Sequence, residues 1–469
     1  MMFTATHAIF DEISEHTAEL RARILAAEDA PLTGRRCFYV APDGDDGDDG
    51  LTPDTAWQTL SKVNAADLQP GDAVLLERGG LWRERLTAKA GVRYGAFGDG
   101  DKPKIYGSPE NGAGAEKWEE VLPDIWRYRT KFAGDVGSIV FDEGARHARK
   151  VIARFADGKM TDSITGEPWE GAASLKGDLD MWHELGGDVV ENPDGGWLYL
   201  CSHRGNPGAR FSSVEFLTRG NIIRVAGNDV EIDNLCIKYG GCHGIGAGSV
   251  NGLTVTGCEV GWIGGSLQFY RNGRPTRFGN GVEIYGGCED YTIERCYVYQ
   301  CYDAGITHQY SAVGTEPLAH HNVRYADNLI EYCTYSVEYF MGKAENDARR
   351  VMGNVLITDN IMRFAGYGWG AQRPDVTAAS HIKGWDHANR LDGPFEIEDN
   401  IFACSEYMLI HCGTADASDL PKIAGNTLLQ YAGGQLGRYA ANPTAMILFD
   451  DAEAIPALEG NEFYVIRES

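Results

Sequence analysis

One pattern recurs seven times in the second half of the chain: a strand of alternating apolar residues, a polar turn, and another apolar pair. The copies are VEIDNLCI (230–237), LTVTGCEV (253–260), YTIERCYV (291–298), VRYADNLI (323–330), VLITDNIM (355–362), FEIEDNIF (395–402) and KIAGNTLL (422–429), with LEGNEFYV (458–465) as an eighth. Alternation rich in β-branched residues predicts strands, and Asp-Asn or Gly-Asn predicts a tight turn between them. Spacings of about 23 to 40 residues point to stacked coils, because one copy cannot bury its apolar face alone. A propeller needs four strands and hairpin turns per blade, more than the shortest copies supply. The reading is a parallel β-solenoid. Aligned on the turn, Asn328, Asn360, Asn400, Asn426 and Asn461 share a position that Cys258 and Cys296 fill in earlier copies. Stacking at ~4.8 Å per coil would bring those amides into a hydrogen-bonded ladder.

Composition excludes several classes of partner. The 469 residues include 42 Lys+Arg against 68 Asp+Glu, a formal net charge of −26, so nucleic acid and anionic membranes are repelled at long range. An apolar content of 43% suffices for a large core, and no run approaches the ~18 apolar residues of a membrane span. The first residues lack the basic and apolar stretches of a secretory signal, which makes the cytoplasm the expected location. Instead Ile9, Ile13, Leu20 and Ile24 recur at helical spacing, predicting an amphipathic helix within residues 1–30. The eleven cysteines form no C-x-x-C pairs, and Cys258, Cys296, Cys333 and Cys404 sit in strand-like runs as small apolar fillers. No metal or cofactor is expected. DGDDGDDG (43–50) lacks the twelfth-position Glu and the glycine phase of a calcium loop, His320-His321 lacks zinc spacing, and no phosphate-binding fingerprint appears.

The N-terminal third carries motifs of its own. FYVAPDGDDGDDGLTPDTAWQTLSKVNAADLQPGDAVLLERGGLWRERL (38–86) is followed by GVRYGAFGDGDKPKIYGS (91–108). Together with the repeats, these resemble the opening coils of right-handed, single-stranded parallel β-helix carbohydrate-active enzymes of the pectate-lyase-like superfamily. The resemblance implies an all-β fold with one β-helix domain over 31–469. It also implies that the helix in 1–30 caps the first coil and that residues 118–216, which include GGWLYLCSHRGNPGARF, form a small β insertion. It implies a glycoside hydrolase, although the fold also hosts lyases, epimerases and adhesins.

Candidate chemistry lies where the chain re-enters a strand after each turn: HGIGAG (243–248), NGVEIYGG (280–287), AGITHQYS (304–311), YSVEYFMG (335–342), SHIKGWDH (380–387) and YMLIHCG (407–413). With Val282, Ile306, Val337 and Leu409 inward, the outward column reads Gly246, Glu283, Thr307, Glu338, Lys383 and Ile410. Glycosidic hydrolysis needs two carboxyl groups. Glu283 and Glu338 stand two coils apart, ~9.6 Å between backbones, with Asp303 on the intervening coil. The first pair suits an inverting separation of about 6.5–9.5 Å, and Asp303 with either glutamate suits a retaining one of about 5–5.5 Å. One of the three is expected as general acid, kept protonated by a neighbouring carboxylate. His308 is either a core histidine or a group that orients Asp303 or binds a sugar hydroxyl. Lys383, Trp385, Asp386 and His387 combine charge with a flat surface for a sugar ring. Arg277, beside Arg271 and Arg274, and Arg373 are candidates for binding an acidic group on a sugar. The reading is hydrolysis of a short oligosaccharide, with the oligomeric state open. The alternative is β-elimination from a uronic acid by Lys383, His308 or Tyr339 as base. A third reading is a non-catalytic adhesion solenoid.

Overall fold

The computed structural model describes residues 8–466 except 30–31, 33–34, 157–158, 163–164, 187–188, 272, 346–347, 373–378, 385–389, 414–415, 441–445 and 455–457. Among these residues, three long sheets run side by side along the molecule. Each coil visits all three in turn. Cys288–Glu294 lies in the first sheet, Tyr297–Cys301 in the second and Ala304–Tyr310 in the third; the next coil lays Leu318–Ala326, Leu329–Glu331 and Tyr335–Met341 parallel to them. This is the expected parallel β-helix. The third sheet matters most below, and its parallel strands are β1 (Leu86–Ala88), β2 (Ile223–Val225), β3 (Ile245–Ala247), β4 (Val282–Tyr285), β5 (Ala304–Tyr310), β6 (Tyr335–Met341), β7 (Ser380–Gly384), β8 (Met408–Gly413) and β9 (Gln435–Ala440).

The asparagine ladder forms as the turn alignment predicts. Asn328 Nδ2 donates to Asn360 Oδ1 at 2.9 Å, and the contact repeats at 2.9 Å from Asn360 to Asn400, Asn400 to Asn426 and Asn426 to Asn461. Each Oδ1 also accepts the backbone N–H of the rung before it. The residue ahead of each asparagine turns left-handed: Asp327, Asp359 and Asp399 at φ 54–57°, Gly425 at 72°. Asp and Gly tolerate that conformation better than other residues, which is why Asp-Asn and Gly-Asn mark the corner. At another corner Gly305 has no room for a side chain, since a Cβ there would meet Ile330 Cγ2 at 2.8 Å and the Ser336 carbonyl at 2.9 Å.

One apolar core runs inside the coil, with Val282, Ile306, Val337, Ile382 and Ile410 as one of its rows. The row corrects the sequence reading by one residue in β8. Ile410, not Leu409, pairs with Ile382, so His411 rather than Ile410 joins the outward column. Leu409 is buried as well and belongs to the same core cluster, so the simple alternation of buried and outward residues breaks there. The eleven cysteines are free, and ten of them are buried.

The N-terminal helix α1 (Ala8–Leu25) forms, but it does not cap the first coil. Its buried face is split between two contacts. Phe10 and Ile13 pack on Phe364, Cys404, Leu429 and Ile466, and Leu20 and Ile24 pack on Leu329 and Ile361. The helix therefore crosses the outer face of the second sheet, and Arg21 pairs there with Glu331. The apolar stripe gave the helix; its partner surface is spread over late coils that local sequence does not reveal. The core at the first-coil end is closed instead by α2 (Leu60–Ala65), which buries Leu60 and Val63 beside Phe38, Trp57 and Leu68. No helix among the described residues is long and apolar enough to cross a membrane.

Within the 118–216 segment, a mostly antiparallel sheet stands outside the coils. Its order is Arg149–Lys150, Asp180–Glu184, Glu191–Cys201, Ile125–Tyr128 and Trp118–Leu122. It has its own core, in which Trp118, Tyr128, Phe132, Met181 and Leu198 meet Phe216. Val136–Phe141 and Val214–Thr218 pair antiparallel and join this module to the second sheet.

Candidate functional site

Register in the third sheet fixes the outward column from β1 to β9 as Thr87, Arg224, Gly246, Glu283, Thr307, Glu338, Lys383, His411 and Arg438. Glu283 and Glu338 thus stand two rungs apart on one face with Thr307 between them. The middle of the column is not a solvated surface: Glu283 is 5% exposed, Glu338 4% and Lys383 1%. A charge taken out of water needs a partner, and both carboxylates have one. Lys383 Nζ lies 3.5 Å from Glu338 Oε1 and 3.4 Å from the centre of the Tyr335 ring. Glu283 Oε2 is 2.6 Å from His243 Nδ1 and accepts from Asn280 Nδ2 at 2.7 Å.

His243 and Asn280 belong to a second ladder at the start of the third-sheet strands. Asn221 Oδ1 accepts from His243 N at 3.3 Å, His243 Nδ1 accepts from Asn280 N at 3.2 Å, and Asn280 Oδ1 accepts from Ala304 N at 2.8 Å. Each side chain tethers the next coil, the job done elsewhere by the asparagines. This ladder also reaches sideways to Glu283. The sequence reading missed both residues, although aligning NII (221–223), HGI (243–245) and NGV (280–282) on their apolar ends places Asn221, His243 and Asn280 in one column. Above them lies a cavity of about 320 Å³ whose lining includes Arg224, His243, Gln268, Glu283 and Tyr285.

The other candidates divide. Asp303 is half-buried on the coil between the two glutamates, and its carbonyl accepts from Thr334 N and Tyr335 N while its N–H donates to Gly279 O. His308 is fully buried inside the coil, with Nδ1 2.8 Å from the Tyr325 hydroxyl and its ring among those of His320, Tyr339 and Phe395. It pairs with Ile284 and Tyr339, which places it on the inward parity, so it is a core residue and not a sugar ligand. Burial holds its imidazole well below its ordinary value, neutral at physiological pH. Tyr339 is equally internal, donating to Cys412 Sγ at 3.3 Å.

Arg277 is also buried. Its guanidinium donates to the carbonyls of Gly265 and Gly137 at 2.7 and 3.0 Å and lies 4.2 Å from the centre of the Tyr302 ring. It ties the 266–278 hairpin to the body of the protein rather than presenting a fork to an acidic sugar. Lys383 is likewise engaged inside the column. Arg373, Trp385, Asp386 and His387 lie outside the described residues. Among the described residues, no group of three or more His, Cys, Asp or Glu is arranged to hold a metal. In the acidic loop, Asp46 instead accepts from Gln58 N, Thr59 N and the Thr59 hydroxyl.

No protein-family model matches the chain. A stretch of 100 residues is 34% identical to a lacto-N-biosidase of Bifidobacterium longum subsp. longum, covering 19% of this chain and 6% of that much longer protein. Among solved structures, XylC in complex with xylose aligns at 12% identity and a TM-score of 0.47, over 88% of this chain and 73% of its own. The GH136 lacto-N-biosidase from Eubacterium ramulus aligns at 14% identity and a TM-score of 0.36, over 98% of this chain and 70% of its own.

Proposed function

We propose that the protein is a glycoside hydrolase acting on a short oligosaccharide, with Glu283 and Glu338 as its two carboxyl groups. The observation that carries this reading is the Glu283 carboxyl, held by His243 and Asn280 at the wall of a cavity rich in polar groups. His243 Nδ1 lies 2.6 Å from Glu283 Oε2 and Asn280 Nδ2 donates to the same oxygen at 2.7 Å, so two side chains fix the orientation of the carboxyl. Glu283 is therefore assigned as the acid that protonates the leaving glycosidic oxygen, with His243 and Asn280 positioning its carboxyl. Glu338, its charge offset by the Lys383 ammonium, is assigned as the carboxylate that removes a proton from the attacking water. Two rungs of ~4.8 Å leave room for that water, which makes inversion the expected stereochemistry. The sequence likeness to a lacto-N-biosidase supports an oligosaccharide substrate.

The elimination reading has less support. Its three candidate bases, Lys383, His308 and Tyr339, are all buried and engaged. The test is hydrolysis of a panel of neutral oligosaccharides and aryl glycosides by wild type, Glu283→Gln and Glu338→Gln. Loss of activity in both variants with unchanged melting temperature is the expected result. Full activity in either variant removes that residue from the mechanism, and an unsaturated uronide product would replace hydrolysis by elimination.

A further inference from the structure

A cavity of about 630 Å³, larger than the one beside Glu283, lies between the module and the 266–278 hairpin. Its size is within the range of about 300–1,000 Å³ usual for small-molecule sites. The hairpin parts the two cavities: Leu267 and Tyr270 line this one, whereas Gln268 lines the other. Two half-buried tryptophans form its wall. Trp169 and Trp182 meet edge to face, with ring centres 5.1 Å apart at 75°, and Tyr199 stacks on Trp182 at 17°.

The remaining lining includes a buried polar cluster that neither the repeats nor the motifs announced. Lys150 donates to Asp135 and, at 2.8 Å, to Val136 O, and Asp135 Oδ2 also accepts Leu267 N at 2.7 Å. His183 Nδ1 accepts Val136 N at 3.1 Å and lies 3.7 Å from Asp135 Oδ1. Burial opposes the charge on Asp135, but Lys150 and His183 outweigh it and hold the carboxyl at about 2; burial pulls the Lys150 ammonium down to about 8. The two charges offset one another; Arg277, which also acts on Lys150, is held by the Gly265 and Gly137 carbonyls, and Glu184 adds a carboxylate to the lining.

We propose that this cavity is a second carbohydrate-binding site, taking an uncharged pyranose ring against the corner made by Trp169 and Trp182. A saturated ring presents C–H bonds on one face and hydroxyls around its edge, matching an indole wall beside a polar, charge-compensated floor. Two indoles at right angles make a corner for a puckered ring, not the parallel slot that a flat base would fill. A phosphate or carboxylate meets the Glu184 carboxylate there, and the Lys150 ammonium is already held by Asp135. The proposal does not rest on the role given to Glu283.

The experiment uses the full chain carrying Glu283→Gln, so turnover cannot obscure binding. Methyl β-glucopyranoside, methyl β-galactopyranoside and N-acetylglucosamine are titrated by calorimetry, with glucuronate and adenosine monophosphate as charged comparisons. At least one neutral sugar should saturate with a Kd of about 1 mM or tighter. Trp182→Ala and Trp169→Ala should each weaken it about tenfold, and Trp182→Phe much less. A crystal soaked with the tightest sugar should show it against the two indoles, which tests the site even where an alanine variant fails to fold. Absence of saturable binding, binding indifferent to both tryptophans, or preference for a charged probe overturns the proposal. Because the site is read without catalysis, a protein that hydrolyses no glycoside leaves the proposal standing, and one that hydrolyses glycosides but binds no sugar here sinks it.

Discussion

Two columns of stacked side chains run along this solenoid and follow opposite rules. At the corner after the first sheet, five successive coils carry the same residue, from Asn328 to Asn461, and each makes the same 2.9 Å contact with the next. On the third sheet nearly every rung differs: Arg224, Gly246, Glu283, Thr307, Glu338, Lys383, His411 and Arg438. A repeated amide satisfies itself, because each Asn offers the donor and acceptor its neighbours need. A carboxylate cannot be stacked on itself without repulsion, so the charged column must alternate with cations, hydroxyls and imidazole. Uniformity therefore marks where stacking is the whole task, and diversity marks the face on which the catalytic pair is proposed.

The comparison predicts different losses from substitutions in the two columns. Glu283→Gln should lower glycoside turnover about a thousandfold, the size usual for losing a general acid, while the melting temperature stays within a degree or two of wild type. Steady-state rates and a thermal scan on the same preparation measure both. Asn360→Ala should do the reverse. It removes an Oδ1 accepting from Asn328 and an Nδ2 donating to Asn400, Tyr325 O and Thr358 O. Leaving those buried groups unpaired should cost about 3 kcal/mol in urea unfolding, with turnover per folded molecule preserved. Equal loss of activity in both variants would erase the distinction between the columns.

The same contrast explains what the sequence could reveal. The ladder was legible because identical residues recur at one place in a repeated pattern, so alignment alone exposes contacts between residues up to 40 positions apart. The column holding Glu283, Glu338 and Lys383 was legible by parity counting. That counting failed at Leu409, because Leu409 and Ile410 are adjacent, equally apolar and both buried, so parity does not choose between them. His308 was ambiguous because a buried polar residue and a catalytic one look alike in sequence; only the closed shell of His320, Tyr325 and Tyr339 distinguishes them. His243 went unnoticed because its ladder changes residue at every rung. The path of α1 was hidden for a different reason. Its contacts span coils from Leu329 to Ile466, and no local pattern in residues 8–25 encodes such distant partners.

Buried histidines give a pH test of the uniform interior. Burial holds His320 at about 4 and His381 at about 3, against about 6.5 in an unfolded chain. The folded state resists protonating them, so their contribution is intact above pH 6.5 and is lost as pH falls towards the folded values. By pH 5 each should have cost about 2 kcal/mol of stability. Urea midpoints at pH 7.5 and pH 5 measure the slope, and His320→Gln should flatten it. A slope unchanged in that variant would assign the acid sensitivity to other groups.

The smallest expected effect is the most discriminating, because His243 belongs to both kinds of structure. As a rung it accepts Asn280 N at Nδ1; as a neighbour of Glu283 its ring lies 2.6 Å from Oε2 and holds the carboxyl in place. His243→Asn separates the roles, since an Asn Oδ1 at this position can accept the Asn280 N–H just as Asn221 Oδ1 accepts the His243 N–H one coil earlier. The tether survives and the imidazole does not. Unfolding should then match wild type, while turnover falls about tenfold and its pH profile shifts on the limb set by the acid. An unchanged profile would reduce His243 to a spacer in the ladder. A large loss of stability would mean that the imidazole, and not merely an acceptor atom, is needed to hold the coils of β3 and β4 in register.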